Sequence, residues 1–408
     1  MDNLIKEKAL KIMEIANGKV CNNCLGRCFS KMIEGADNKH RGEIIKNELN
    51  INGYTNIKSN SCYICGGLVY KVGPELIENI LNKIESSGVE FSNFLVGTRV
   101  SNDIIQKEKI LHEKLDLDVE NIKKELNREI GKKISLELDK DVEFESPNLI
   151  VLVDFLNDDI ILQINPLFIE GRYRKLIRGI PQTKWPCRKC KGKGCDYCDF
   201  TGKMYRESVE ELIEPEALKM SLGSSAKFHG AGREDIDVKM LGRGRPFVLE
   251  IKEPKKRNID LEVLQENINK YAQGKVEVLD LKFVEKNRRS IIKSSSKDTF
   301  KIYRAHVLLE DAVSPEDLAV LKSMKVIKQR TPVRVSHRRA DKIRTRNINQ
   351  IEYKFINPKE FEFMVDCEGG LYIKELISGD QDRTQPNVSQ LLKTQAKCEK
   401  LDVMDVNI

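Results

Sequence analysis

Phe228-His229-Gly230-Ala231-Gly232-Arg233-Glu234-Asp235-Ile236-Asp237-Val238-Lys239-Met240-Leu241 sets an arginine and two adjacent acids between a glycine-rich turn and an alternating apolar run. Ile236, Val238 and Met240 fall on one face of a strand and Asp237 and Lys239 on the other, because strand side chains alternate. Gly242-Arg243-Gly244 tolerates positive φ and is expected to turn the chain. Pro246 to Ile251 then reads as the return strand. The pattern predicts a hairpin with Asp235 at its mouth, where a rigid sheet can aim a loop carboxylate. Spacing alone also fits a polar turn with solvated charges.

The chain around this stretch has 408 residues, enough for two or three domains at roughly 150 residues each. Charged residues make up 33%, and cations exceed acids by seven, so the position of that excess matters more than its size. The start, Met1 to Lys8, lacks the basic-then-apolar layout of a signal peptide, and no apolar run approaches the ~20 residues that span a bilayer. A soluble, cytoplasmic, monomeric protein without a membrane partner is expected. Eleven cysteines in such a chain point to metal or free thiols rather than disulfides.

Two cysteine sets have metal-ligand spacing. Cys21 and Cys24 form one Cys-x-x-Cys pair and Cys62 and Cys65 a second, with a helix expected near 41–49 between them. Cys187, Cys190, Cys195 and Cys198 form two more pairs four residues apart, with glycines between. Each set can close a tetrahedral structural zinc site, since a short loop presents two thiolates to one ion. Reduced thiol pairs are the alternative. Cys28 is expected to pack as a small hydrophobe.

Residues 75–86 carry an amphipathic helix, 91–100 a strand, 103–133 a charged helical stretch, and 135–138, 149–155 and 159–164 strands. This alternation predicts an α/β or α+β domain. Gly171 to Gln182 is basic with one tyrosine and reads either as a solvated connector or as a phosphate-contacting segment. A short helix is expected from Pro215 to Met220, with proline in its first turn. Leu261–Tyr271 reads as a helix, and 276–284, 300–309 and 361–366 as strands. The expected domains are 1–183, a cysteine knuckle or hinge at 184–205, and 206–408. The fold class is α+β.

Lys325, Lys328, Arg330, Arg334, Arg338, Arg339, Lys342, Arg344 and Arg346 lie within 22 residues of one another against the single acid Asp341. That local excess is larger than the net charge of the whole chain, so the positive field is concentrated here. A one-sided run of this kind is a nucleic-acid footprint.

Gly232-Arg233-Glu234-Asp235 resembles the element around the catalytic aspartate of pseudouridine synthases, and 231–247 is similar to the archaeal and eukaryotic tRNA pseudouridine synthase 10 family. Lys301-Ile302-Tyr303-Arg304-Ala305 resembles the motif that supplies the active-site tyrosine, and Tyr372-Ile373-Lys374-Glu375-Leu376 the motif whose base pairs with the aspartate. Gln329–Asp341 and Arg383–Asn387 are also similar to family signatures, and the likeness covers 170–408. It implies a C-terminal pseudouridine synthase fold, a mixed sheet with flanking helices and a central cleft. An N-terminal zinc-containing THUMP-like RNA-binding domain is implied more loosely. It further implies isomerisation of T-loop uridines 54 and 55, with the T-arm of tRNA as partner and no organic cofactor.

On that resemblance Asp235 acts at the ribose as nucleophile at C1′ or base at C2′, and Lys374 keeps it ionised. Tyr303 stacks on the uracil and helps remove the C5 proton. Arg233, Arg330, Arg334, His337, Arg338, Arg339, Lys342 and Arg383 grip RNA while the target base leaves its stack. Asp237 is the rival acid. A THUMP-associated methyltransferase or thiolase would need a glycine-rich cofactor loop or a Ser-Gly-Gly-x-Asp-Ser element, and the chain has neither. A non-catalytic zinc-containing tRNA-binding protein or chaperone explains the cysteines and the basic run. It does not explain Asp235, Tyr303 and Lys374 together.

Overall fold

The computed structural model describes residues 2–49, 61–117, 119–295 and 299–407. The chain divides between Asn165 and Pro166 into two compact units. None of the helices among the described residues is long and apolar enough to cross a membrane.

The first unit opens with three helices, α1 (Asn3–Ile15), α2 (Asn22–Arg27) and α3 (Asn38–Glu48). Their buried faces meet Cys21, Cys24, Cys62 and Cys65 in one core. α4 (Pro74–Ser87), α5 (Asn102–Lys114) and α6 (Ile122–Leu138) follow, interleaved with four strands. These are β1 (Asn93–Arg99), β2 (Asp141–Val142), β3 (Leu149–Asp154) and β4 (Asp159–Ile164), in the sheet order β2-β1-β3-β4. Ile77, Ile80 and Ile84 of α4 and Ile130 and Ile134 of α6 close over Phe94, Val96, Leu149 and Val151.

The strand expected at 135–138 is the last turn of α6, which ends at Asp139 in the left-handed region (φ 50°). Ile130 and Ile134 are four apart and both buried, so helical burial continues up to that point. The charged stretch expected at 103–133 is two helices, because Asn121 caps a new one by accepting from the Lys124 amide at 3.0 Å. Arg27, fully buried, donates to Glu108 at 2.9 Å and pairs with Glu125, tying α2 to α5 and α6.

The second unit is built on a ten-stranded mixed sheet. Its strands are β5 (Leu167–Lys175), β6 (Ser225–Gly230), β7 (Lys239–Lys252), β8 (Val276–Phe283), β9 (Phe300–Leu309), β10 (Val326–Arg330), β11 (Ile343–Asn357), β12 (Glu360–Glu368), β13 (Thr384–Gln385) and β14 (Ala396–Val406). The order is β13-β10-β11-β12-β9-β14-β7-β5-β8, with β6 also on β7. β14 runs parallel to β7, and the remaining pairs are antiparallel. Helices α7 (Val209–Ser221), α8 (Leu261–Tyr271), α9 (Arg288–Ser295), α10 (Ile373–Ser378) and α11 (Val388–Leu392) accompany it.

Three expectations change here. Gly242-Arg243-Gly244 does not turn the chain; it is a bulge within β7, which continues to Lys252. A Cβ on Gly242 (φ +55°) would sit 1.8 Å from the Met404 carbonyl oxygen, so glycine serves a close strand approach rather than a reversal. α7 starts at Val209, with Pro215 inside it, because Ser208 caps it: the Glu211 amide donates to the Ser208 hydroxyl at 3.2 Å. Finally, the unit boundary falls at 165/166 rather than 183. β5 lies between β7 and β8 in the sheet, which draws 166–183 and the cysteine knuckle into the second unit.

Candidate active site

Loop 231–238 joins β6 to β7 and is fixed from below. Glu234, buried, accepts from the Tyr173 hydroxyl at 2.9 Å and from Arg245 Nε at 2.8 Å. Arg245 also donates to the Ala231 carbonyl at 2.9 Å. Lys175, with no exposed surface, donates to the carbonyls of Asp235 at 3.1 Å and Ile236 at 3.2 Å. Gln182 donates to the Gly232 carbonyl at 2.9 Å and to the Tyr173 hydroxyl at 2.8 Å. Both ends of the loop are therefore held, and the Asp235 side chain keeps about 33% of its surface exposed.

The Asp235 carboxylate meets two cations. Arg334 donates to it at 2.8 Å, and Lys374 Nζ lies 3.9 Å away. Lys374 makes its short contact to Asp237, at 2.6 Å. Burial pushes the Asp237 carboxyl up, but the Lys374 ammonium outweighs it and holds the group below the usual range. The sequence expected Lys374 to pair with Asp235; in the structure Arg334 is the nearer partner and Lys374 bridges both acids. Arg334 also bonds Glu375 at 2.5 Å and lies over the Tyr372 ring at 5.8 Å. Gln329 fixes the backbone of Tyr372 from both sides: it donates to the carbonyl at 3.0 Å and accepts from the amide at 2.8 Å. This sets the start of α10 and, with it, Lys374.

Asp235 faces two cavities. One, of about 210 Å³, is lined by Tyr303, Lys301, Leu371, Arg334, Lys374 and Asp235 among others. The other, of about 200 Å³, runs from Asp235 toward Trp185, Gln182 and Pro181. Burial pushes the Tyr303 phenol well above its ordinary range, so it stays protonated.

The basic run at 325–346 forms β10, a 3-10 turn over Val333–Arg338 and the start of β11. Lys325, Lys328, His337, Arg339 and Lys342 are exposed on it. Asp341 is bound by Arg330 at 2.5 Å and by Arg383 at 3.2 Å, so the one acid of the run is already neutralised. Arg383 also donates to the Thr331 carbonyl at 2.7 Å and so ties β13 to this turn. Arg233 stacks over Trp185 at 5.8 Å and borders both cavities. The side chain of Arg338 lies outside the described residues.

Gly171–Gln182 is not a loose connector: it carries the end of β5 and the segment after it, and its arginines are engaged within the protein. Arg172 donates to the carbonyls of Arg243 and Val406, Arg174 to Gly242, and Arg178 to Asp237 and Leu401. Arg174 also pairs with Glu277 at 2.9 Å and Arg178 with Asp402 at 2.5 Å, so their charges are matched by acids as well as by the backbone of the sheet.

Cys21, Cys24, Cys62 and Cys65 converge in the first unit, and Cys187, Cys190, Cys195 and Cys198 in the second. A tetrahedral ion with Zn–S bonds near 2.3 Å sets its sulfurs about 3.8 Å apart. The observed separations are 3.8 Å for Cys21–Cys65, 3.9 Å for Cys187–Cys195 and 3.8 Å for Cys190–Cys198. Amide donors point at the sulfurs, among them Gly194 on Cys190 at 3.1 Å and Gly202 on Cys198 at 3.3 Å, as thiolate ligands require. Both sets fit zinc. Cys28 is buried in the first unit's hydrophobic core.

Sequence reasoning did not single out Lys175, Tyr173, Arg245 and Gln329, which position the site. Their signal was weak: each sits in a stretch that reads as basic or polar, and burial alone gives them their roles.

Residues 168–407 match the family model described as Pus10, C-terminal, and 76–154 that described as Pus10 THUMP domain, archaeal. A protein of Methanothermobacter marburgensis named tRNA pseudouridine synthase Pus10 is 49% identical over 405 residues, spanning 98% of each chain. Proteins of the same name from Methanosphaera stadtmanae (42% identical, 98% of this chain and 99% of that one) and Pyrococcus furiosus (40%, 99% and 98%) are similar over the same length. Similarity that runs through both units and nearly end to end means that the chain belongs to the Pus10 family of tRNA pseudouridine synthases.

Proposed function

We propose that this protein isomerises uridine to pseudouridine in the T-loop of tRNA, at position 54, 55 or both, with Asp235 as the group that acts at the ribose. The carrying observation is a carboxylate on a loop clamped by Lys175 and Glu234, aimed into a cavity it shares with Tyr303 and Lys374. The reaction breaks the C1′–N1 bond, turns the base and rejoins it through C5. Asp235 attacks C1′ or takes the C2′ proton, and Arg334 and Lys374, 2.8 Å and 3.9 Å away, hold the carboxylate in place. Arg334, expected as an RNA contact, is assigned to the carboxylate on its 2.8 Å bond. Tyr303 gives the base a stacking face. Its phenol is pushed up by burial, which does not favour a role as acceptor of the C5 proton.

Lys325, Lys328, Arg339, Lys342 and His337 present the face that grips phosphates, with Arg233 and Arg338 expected beside it. Two structural zinc ions on the cysteine sets complete the protein, which works as a cytoplasmic monomer with its first unit as a THUMP-type RNA-binding module.

The test is pseudouridine formation in an unmodified tRNA transcript, mapped by nucleotide, for wild type and Asp235→Asn. Product at T-loop uridines that disappears in the variant, with RNA binding kept, supports the reading. Equal activity in both removes Asp235 from the chemistry. Tight binding without product in either makes the protein a binder only.

A further inference from the structure

Lys301 is the one buried cation of the active-site cavity that the roles above leave unused. It precedes Tyr303 by two residues on β9, so both side chains share a face. Both line the cavity beside Asp235. Only 8% of Lys301 is exposed, and among the described residues its ammonium has no hydrogen bond or ion pair. Buried ammonium groups are ordinarily paired, because desolvating a charge is costly. A lone one at the edge of a cavity is poised for a charge that arrives with the occupant.

Among the described residues, the charged and titratable groups around it supply no partner. Arg245 of β7 is committed to Glu234 of the loop at 2.8 Å. Cys367 of β12, opposite Lys301 in the sheet, is pushed up to about 12 by burial and stays neutral. Arg334 and Lys374 are held by acids, and Arg339 lies at the cavity edge. β14 contributes Leu401 and Val403, which are apolar. Burial, with the Arg245 charge adding to it, brings Lys301 down to about 8.

We propose that Lys301 is a further catalytic residue, whose ammonium contacts the detached uracil and stabilises its negative charge. The inference rests on the reading of the site as a pseudouridine synthase. When the C1′–N1 bond breaks, its electron pair leaves with the base. This holds whether Asp235 bonds to C1′ or accepts the C2′ proton. Uracil then carries one negative charge over N1, O2 and O4. The charge is discharged when C5 bonds to C1′, as the Asp235–C1′ bond breaks or C2′ regains its proton from Asp235; the C5 proton then departs and N1 gains a proton. Bound uridine is neutral, so a cation at this place favours the transition state over the ground state, which is what raises turnover. Lys301 keeps its own proton throughout.

The experiment is single-turnover pseudouridine formation with the full-length protein and an unmodified tRNA transcript, on both sides of pH 8, for wild type, Lys301→Met, Lys301→Arg and Asp235→Asn. The wild-type rate is expected to fall as pH rises through about 8, because the ammonium is lost. Lys301→Met is expected to lower the rate roughly 100-fold with RNA affinity unchanged and no such fall. Lys301→Arg is expected to hold its rate at high pH. A wild-type rate that instead climbs through pH 8 overturns the proposal in favour of a neutral amine acting as base, and needs no variant to read. A folded Lys301→Met protein at near wild-type rate also overturns it, while Asp235→Asn still inactive leaves the underlying reading intact. If Lys301→Met does not fold, the wild-type profile and Lys301→Arg decide.

Discussion

Glu234 and Asp235 are chain neighbours with opposite surroundings, and the site depends on that contrast. The Glu234 side chain is wholly enclosed by Arg245 and Tyr173, whereas Asp235 keeps about a third of its side chain exposed beside Arg334. Glu234→Gln leaves Arg245 as an uncompensated buried charge and is expected to cost about 3–5 kcal/mol of stability in urea unfolding. Arg334→Gln removes a charge-assisted bond to a half-exposed acid. Turnover should drop roughly ten- to a hundredfold, with tRNA affinity changing far less. Lys301 adds a pH signature. Its folded value lies near 8, below the ordinary lysine range, so between the two the unfolded chain binds more protons than the folded one. Stability therefore rises with pH across that window. The wild-type gain should be missing from Lys301→Met in unfolding experiments at matched pH.

Among the elements, β7 carries the strongest constraint. Its bulge lets Arg172 and Arg174 reach the carbonyls of Arg243 and Gly242 while Met240 still pairs with Val403 of β14. Gly242→Ala adds a Cβ 1.8 Å from the Met404 carbonyl oxygen on a positive-φ residue. It should destabilise the protein by about 2 kcal/mol or more and loosen the β7–β14 pairing, read by urea unfolding and amide exchange of β14. The same bulge explains why the sequence reading turned the chain there: Gly-x-Gly signals positive φ, and a turn and a bulge both use it. β14 gave almost no sequence signal. Ala396–Val406 is charged at every second or third position, and only its place between β9 and β7 makes it central. β5 was similarly hidden, since Arg172, Arg174 and Lys175 look like a basic connector until their backbone partners are seen.

Across the whole molecule, the proposed zinc ions and the tRNA substrate are the two external dependencies. Replacing Cys21, Cys24, Cys62 and Cys65 by Ser should remove one zinc per chain, and replacing Cys187, Cys190, Cys195 and Cys198 a second, by metal analysis of purified protein. Each loss should also lower the melting temperature, because a bound structural ion adds to folding stability. Lys325, Lys328 and Lys342 are exposed on the β10–β11 face. Changing all three to Ala should flatten the salt dependence of tRNA binding by about 2–3 in log–log slope if each contacts one phosphate.

The sequence by itself determined the elements with local causes. Apolar periodicity gave helices at 75–86 and 261–271, which form as Pro74–Ser87 and Leu261–Tyr271, short-loop thiol spacing gave both cysteine sets, and one-signed charge gave the basic face. Motif likeness singled out Asp235, Tyr303 and Lys374, which line one cavity. Tertiary structure alone decided which cation the Asp235 carboxylate holds, which strands are central, and where the units divide. Those outcomes depend on contacts between residues far apart in the chain, such as Lys175 with Asp235 or Arg334 with Asp235, and on burial. Packing turns identical lysines into a backbone clamp at 175, a bridge between two acids at 374 and an unpaired cavity charge at 301. Charge patterning does not tell Lys175 from Lys301, because desolvation is a property of the assembled core.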